Sequence, residues 1–346
     1  MAAFKLRVLL LPVRPAVNLL KRLRIDPFTL TLLGTVLLAS LLPVHGTAAE
    51  WMDDFTDFAI AALFFLHGAR LSREAVMAGL LHWRLHLTIL ACTFVLFPLL
   101  GLVMHPLATH LVTPGLALGL LFLCALPSTV QSSIAFTSMA GGNVPAAVVS
   151  ASASSLLGVF LTPVILALVV GSQGAMANPL DAMFKILLQL LVPFVAGHLL
   201  RPWIGGWVAR RRAVLRYTDQ STILLVVYTA FSAAVREGLW RDTPVLSLLA
   251  VVVLCMVLLA VAMVLITFLA RRLGFARADE ISIVFCGSKK SLATGVPMAK
   301  VMFAGGSLGA IVLPLMLYHQ IQLIVCAVVA QRYARAQGLP TEPPAD

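Results

Sequence analysis

The stretch Gly287-Ser288-Lys289-Lys290-Ser291-Leu292-Ala293-Thr294-Gly295 is embedded in an apolar segment late in the chain. Two adjacent lysines at membrane depth are expensive, because a charge in hydrocarbon loses its hydration and must find partners or water. An earlier stretch, Pro127-Ser128-Thr129-Val130-Gln131-Ser132-Ser133-Ile134-Ala135, interrupts another apolar segment in the same manner. Two polar, helix-breaking interruptions at corresponding places in two halves of a membrane protein point to a transporter.

Composition supports the membrane assignment. Of the 346 residues, 60% are hydrophobic and 11% charged, and the mean hydropathy is +1.00. Ordinary soluble domains lie far from this balance. The net charge of +11 does not indicate nucleic acid. Its basic residues fall in short clusters between apolar runs and read as topology signals. The five cysteines (Cys92, Cys124, Cys255, Cys286, Cys326) stand singly in or beside apolar segments, so neither a metal site nor a disulfide framework is expected.

A span needs about 20 mainly apolar residues to cross about 30 Å of hydrocarbon. On that criterion the chain reads as ten spans, near 28–43, 55–70, 84–103, 114–140, 144–170, 181–200, 217–236, 243–270, 280–303 and 307–330. With the N-terminus inside, only Lys185, Arg236 and Arg241 of the 25 Lys and Arg fall at the outer segments or the span ends beside them, and Lys289, Lys290 and Lys300 fall within the ninth span. All the others lie on the inner side, which predicts cytoplasmic N- and C-termini in the inner membrane of a cell. Residues 1–26 read as a cytoplasmic amphipathic segment rather than a signal peptide, because no small-residue cleavage site follows. Residues 27–175 form a first five-span unit, 176–332 a second, and 333–346 a polar, Pro-containing cytoplasmic tail expected to be disordered.

Five spans per half start the second half from the opposite side, so homologous halves must be inverted repeats. Gln131-Ser132-Ser133-Ile134-Ala135 pairs with Lys289-Lys290-Ser291-Leu292-Ala293. Ala140-Gly141-Gly142-Asn143 pairs with Ala304-Gly305-Gly306-Ser307, and each leads into a long apolar span. Pro127 cannot donate a backbone hydrogen bond and opposes the carbonyl one turn earlier. Gly287, Gly295 and Pro297 are expected to loosen span nine likewise. Freed carbonyls and helix C-termini favour cations, whereas helix N-termini favour anions. Gln131, Ser132, Ser133, Ser288, Ser291 and Thr294 supply neutral polar groups at these places. The alternative is that such small residues only permit close helix packing, and for Ser150, Ser152, Ser154 and Ser155 both readings stand.

The PSTVQSSIAF…AGGN…LTP pattern from Pro127 to Pro163, with the GSKKSLATG segment, resembles the bile acid:sodium symporter family. It is most similar to the branch containing the calcium-signalling member of solute carrier family 10 and its bacterial relatives. The resemblance covers nearly the whole chain. It implies an all-α polytopic protein of ten helices in two inverted repeats, a panel domain and a core domain, with helices 4 and 9 broken and crossing. Carried over, Ser132 and Ser133 match the family's Ser-Asn pair, and Asn143 matches the Gly-Asn opening span five. The family's Glu and Gln-Asn pair near the second crossing read here Phe285, Lys289 and Lys290. The acidic sodium ligand is therefore missing, and an ammonium has no lone pair with which to replace it. The departure argues against sodium as a bound cofactor. Lys289, at the family's Gln position, ranks ahead of Lys290 as the residue facing the site, with the other snorkelling or lining a watery cavity. A lysine held from water can act as a proton carrier, or it can remain a fixed ammonium that steadies the crossing.

His67 and His319 read as interfacial or packing residues, Asp57 and Asp219 as caps or interfacial anchors of spans two and seven, and Lys300 as a snorkelling residue. No HExxH, paired intramembrane carboxylates or P-loop is present, so no catalytic residue is assigned and an enzyme is not expected. The expected function is secondary transport of a small organic anion across the lipid bilayer. The alternative is a non-transporting membrane regulator of calcium homeostasis.

Overall fold

The computed structural model describes residues 27–70, 82–171, 179–303 and 308–338, and all its regular elements there are helices. In chain order they are α1 (Pro27–Leu41), α2 (Thr47–Arg70), α3 (Trp83–Leu111, with a π turn at Cys92–Leu96), α4 (Pro114–Ala125) and α5 (Gln131–Met139). Then follow α6 (Val144–Gly171), α7 (Pro179–Arg210), α8 (Arg212–Arg236) and the single turn α9 (Leu239–Asp242). The chain ends with α10 (Val245–Arg272), α11 (Arg277–Gly287), α12 (Leu292–Met302) and α13 (Leu308–Ala336). The expected N-terminal amphipathic segment lies outside the described residues, as do Ala304-Gly305-Gly306-Ser307 and the tail beyond 338. The first residues assigned to the tail are helical, because α13 continues to Ala336.

Among the described residues, four helices are long and apolar enough to cross a membrane by themselves: Trp83–Leu111, Val144–Val169, Val245–Arg272 and Leu308–Ala336. The others fail that criterion for visible reasons. Helix α2 carries Glu50, Asp53, Asp54 and Asp57 toward its start. The fourth and ninth expected spans are each divided between two short helices.

The surface is apolar where a soluble protein would be polar. Val245, Leu246, Leu249, Val253, Val257, Val264 and Phe268 are all exposed along α10, as are Leu33, Leu37 and Leu41 on α1. Patches of this extent would be costly in water and suit lipid. Trp51, Trp83 and Trp203 are exposed near helix ends, where indoles favour the membrane interface. This is a multi-pass membrane protein.

Helices α1, α2, α7 and α8 pack with one another, and α3–α6 pack with α10–α13. The two groups meet mainly through α8 against α12 and α13, and through α7 against α6. Within the first group α2 and α7 touch backbone to backbone. A Cβ added at Gly68 would lie 1.9 Å from the Phe194 carbonyl oxygen, and one at Gly197 would lie 1.9 Å from that of Phe65. Reciprocal glycines let the two helices approach this closely, and they fix the end of α2 that carries His67 and Arg70.

Candidate functional site: paired helix breaks and an adjoining cavity

Helix α4 ends at Ala125 and α5 begins at Gln131, while α11 ends at Gly287 and α12 begins at Leu292. The unwound segments meet directly, since the Ser291 amide donates to the Pro127 carbonyl at 2.9 Å. The Ser133 hydroxyl donates to the Phe285 carbonyl at 3.1 Å. Side chains satisfy further backbone groups of the breaks. Ser154 accepts from the Ser128 amide at 3.0 Å, Thr162 donates to the Ala125 carbonyl at 2.9 Å, and Tyr318 donates to the Ser288 carbonyl at 2.8 Å. Ser291 caps α12 by accepting from the Thr294 amide at 3.2 Å. This arrangement answers the requirement that buried backbone groups find partners when a helix is interrupted.

Both lysines are wholly buried, with 0% exposure, so neither snorkels as the sequence suggested. Their ammonium groups face different surroundings. Lys290 Nζ donates to three backbone carbonyls: Thr93 at 2.9 Å, Cys124 at 3.0 Å and Leu126 at 2.7 Å. Cys124 and Leu126 belong to the C-terminal end of α4, where carbonyls without helical partners carry partial negative charge. Thr93 belongs to the π turn of α3, a local loosening of the helical ladder. Three N–H groups thus meet three carbonyl oxygens, and the Phe97 ring lies 4.2 Å from Nζ. The Lys290 backbone is held as well. Gln322 accepts from its amide at 2.9 Å and donates to its carbonyl at 3.0 Å.

Lys289 Nζ donates to the Ser132 carbonyl at 2.8 Å, and it sits 3.7 Å from the centroid of Phe136. An aromatic face is a favourable neighbour for a desolvated cation. Lys289 therefore contacts the start of α5, and Lys290 the end of α4. The ranking of Lys289 ahead of Lys290 rested on its alignment position. The geometry instead gives Lys290 the fuller cation-like coordination.

Beside the breaks lies a cavity of 380 Å³. Gln131, Ser132, Ser291 and Thr294 line it, together with Ser152 and Ser155. Ser133, Ser288, Lys289 and Lys290 are not in its wall. The sequence grouped all these residues into one site, whereas the structure separates a lining layer from a buried supporting layer. Asn143 also stands apart. Its side chain accepts from the Ala146 amide at the start of α6 and donates to Asp279 at 2.8 Å.

Other expectations are corrected in the same way. Gly295 and Pro297 lie inside α12 and do not break it. Gly295 instead makes room for Leu126, which a Cβ there would meet at 2.6 Å. Asp57 and Asp219 lie within α2 and α8 and cap neither helix. Lys300 pairs with Asp53, and with Asp57 at 3.4 Å, instead of reaching for water. The five cysteines are free and buried. Of the four span-five serines, Ser150 is hydrogen-bonded to His86 at 2.6 Å and Ser154 supports the first break.

Sequence reading passed over one cluster in the cavity wall. Arg70 grips Asp219 with both terminal nitrogens, at 2.8 and 3.2 Å, and His67 and Gln220 line the cavity beside them. The signal available was an acid near the start of span seven and a basic residue closing span two. Nothing in their sequence separation of 149 positions links them.

The model of the SBF-like CPA transporter family matches residues 26–335. An uncharacterized protein of Pseudomonas aeruginosa is 66% identical over 310 residues, covering 90% of this chain and 93% of that protein. The putative symporter YfeH of Escherichia coli is 58% identical over 311 residues, with 90% and 93% covered. Sodium/bile acid cotransporter 7 of Rattus norvegicus is 30% identical over 321 residues, with the same coverage. With two interrupted helices bonded through their backbones and a match along nearly its whole length, the chain belongs to the SBF-like CPA transporters of the bile acid:sodium symporter family.

Proposed function

We propose that this protein is a secondary active transporter of a small organic anion, working by alternating access and without the sodium coupling usual in its family. The observation that carries the proposal is the contact between the two breaks beside a 380 Å³ cavity. Helices α5 and α12 both begin at that cavity, with Gln131 and Ser132 on one and Leu292 and Thr294 on the other. Two helix N-termini bring partial positive charge toward the same space, which favours an anion. Family membership and the symporter names of relatives support transport.

The full reading is ten spans in two inverted five-helix repeats, with α4–α5 and α11–α12 as the broken fourth and ninth. Helices α1, α2, α7 and α8 would form the panel, and the remaining long helices the core. Both termini would face the cytoplasm, and the protein would not be an enzyme. Sodium is not needed on this reading because Lys290 already supplies a cation at the carbonyl-rich end of α4. Lys289 is the better placed of the two to exchange a proton, since it makes one carbonyl contact where Lys290 makes three.

Uptake into proteoliposomes is the test, with a panel of organic anions, sodium replaced by choline, and imposed pH gradients. Sodium-independent uptake that follows a pH gradient and falls in Lys289→Gln is expected. Strict sodium dependence would defeat the coupling proposal. Absence of uptake for every anion, with altered calcium entry in cells carrying the protein, would favour the regulatory reading.

A further inference from the structure

We propose that Arg70, Asp219 and Gln220 form a solute subsite on the cavity wall opposite in sequence and element to the helix breaks, and that it selects organic anions bearing hydroxyl groups. This rests on the reading of the cavity as the solute site.

The cavity is not uniformly polar. Phe28, Phe64, Leu156, Val159, Phe194 and Ile223 contribute apolar wall. Against that background the ion pair is unusual. Arg70 spends both terminal nitrogens on Asp219, yet its Nε is buried without a partner. The His67 Nδ1 is likewise buried and unpartnered, and so is the Thr294 hydroxyl on the other wall. Orphaned buried polar atoms cost about 1–3 kcal/mol each. Three of them belong to residues of the cavity wall, so the wall carries polar groups that folding alone leaves unsatisfied.

The chemistry of the pair limits what it can hold. Arg70 and Asp219 together are neutral, so the wall has no net attraction for an anion. A carboxylate placed there would meet Asp219, and an ammonium would meet Arg70. A hydroxyl donates and accepts at once, so it can accept from the Arg70 guanidinium and give its proton to Asp219; the two side chains remain 29% and 16% exposed. The Gln220 amide offers the same combination. The anionic group of the solute would lie at the α5 and α12 N-termini, and its hydroxyl groups at the ion pair. Helix α2 is held against α7 by the Gly68 and Gly197 approach, so the subsite is presented on a rigid element.

A hydroxylated site discriminates strongly against an apolar analogue, because binding the analogue leaves its polar groups unpaired. The probes are therefore potassium gluconate, a six-carbon polyhydroxy acid, and potassium hexanoate, the same chain length without hydroxyls, at equal ionic strength. Melting of the purified full-length protein in detergent should rise with gluconate and not with hexanoate. Gln220→Leu should weaken gluconate by about tenfold, the worth of about one hydrogen bond, while leaving the unliganded melting unchanged. Arg70→Lys, which keeps the charge but lacks the planar guanidinium fork that holds Asp219, should weaken it further. Gluconate binding untouched by both substitutions would overturn the subsite. Hexanoate equalling gluconate, with both lost in Thr294→Val, would overturn it while leaving the cavity an anion site. No shift with either acid would overturn the subsite and the anion reading together.

Discussion

Ser291 and Pro127, 164 positions apart, are joined by a backbone hydrogen bond of 2.9 Å. Because the donor is an amide and the acceptor the carbonyl of a proline, no side-chain exchange at either position removes it, except one that removes the amide. Ser291→Ala should cost about 1 kcal/mol, through loss of the cap on the Thr294 amide. Ser291→Pro removes the amide as well, at a residue whose φ of −82° a proline can nearly adopt. The proline variant should be less stable than the alanine variant by a further 1–3 kcal/mol or so, read from melting in detergent. Equal melting of the two would mean that the bond between the breaks contributes nothing.

The two lysines should respond differently to the same substitution. Lys290→Met leaves the carbonyls of Thr93, Cys124 and Leu126 without their shared donor, in a place water does not reach. A loss of about 3 kcal/mol or more is expected, enough to lower the yield of folded protein. Lys289→Met removes one carbonyl contact and an aromatic neighbour, and methionine can still pack on Phe136. Its melting should fall by about half as much or less. If Lys289→Met proves the more damaging, the carbonyl cage is not what makes the pair tolerable.

The breaks were legible because their residue types are costly elsewhere: Pro127 in a helix and two lysines in hydrocarbon each demand an exception. The residues that answer those demands were not legible. Gln322 and Tyr318 hold the second break from α13, and the Thr93 carbonyl becomes available through a π turn that no residue type announces. Pro297 misled for a related reason. It is the sixth of eleven residues in α12, and the helix continues through it with one ladder donor missing. Arg70 and Asp219 were individually ordinary, and their pairing depends on how α2 and α8 pack, which periodicity does not encode.

Gly68 and Gly197 should tolerate no side chain. An added methyl at either would overlap a carbonyl oxygen of the opposite helix, so α2 and α7 must move apart. Gly68→Ala and Gly197→Ala are each expected to cost about 3 kcal/mol or more, above the usual overpacking range, because the obstacle is backbone. The two costs should not add, since the separation forced by one methyl also accommodates the other. Melting of the two single variants and the double variant checks this. Full additivity would show that the contacts relax independently.

Lys300 invites the opposite expectation. It joins α12 to α2 through Asp53 and Asp57, whose side chains are 62% and 51% exposed, whereas its own is 10% exposed. Ion pairs open to solvent gain little, because water and salt screen them while the side chains lose freedom. Lys300→Met and the double change Asp53→Asn with Asp57→Asn should each alter melting by less than about 1 kcal/mol. Whatever effect remains should shrink further in high salt. The helices these residues join belong to the two groups that alternating access would move against each other, so uptake rates should change more than stability does. A large loss of stability in Lys300→Met that persists in high salt would show that this pair holds the fold together, and would remove it as a contact that the transport cycle can break and remake.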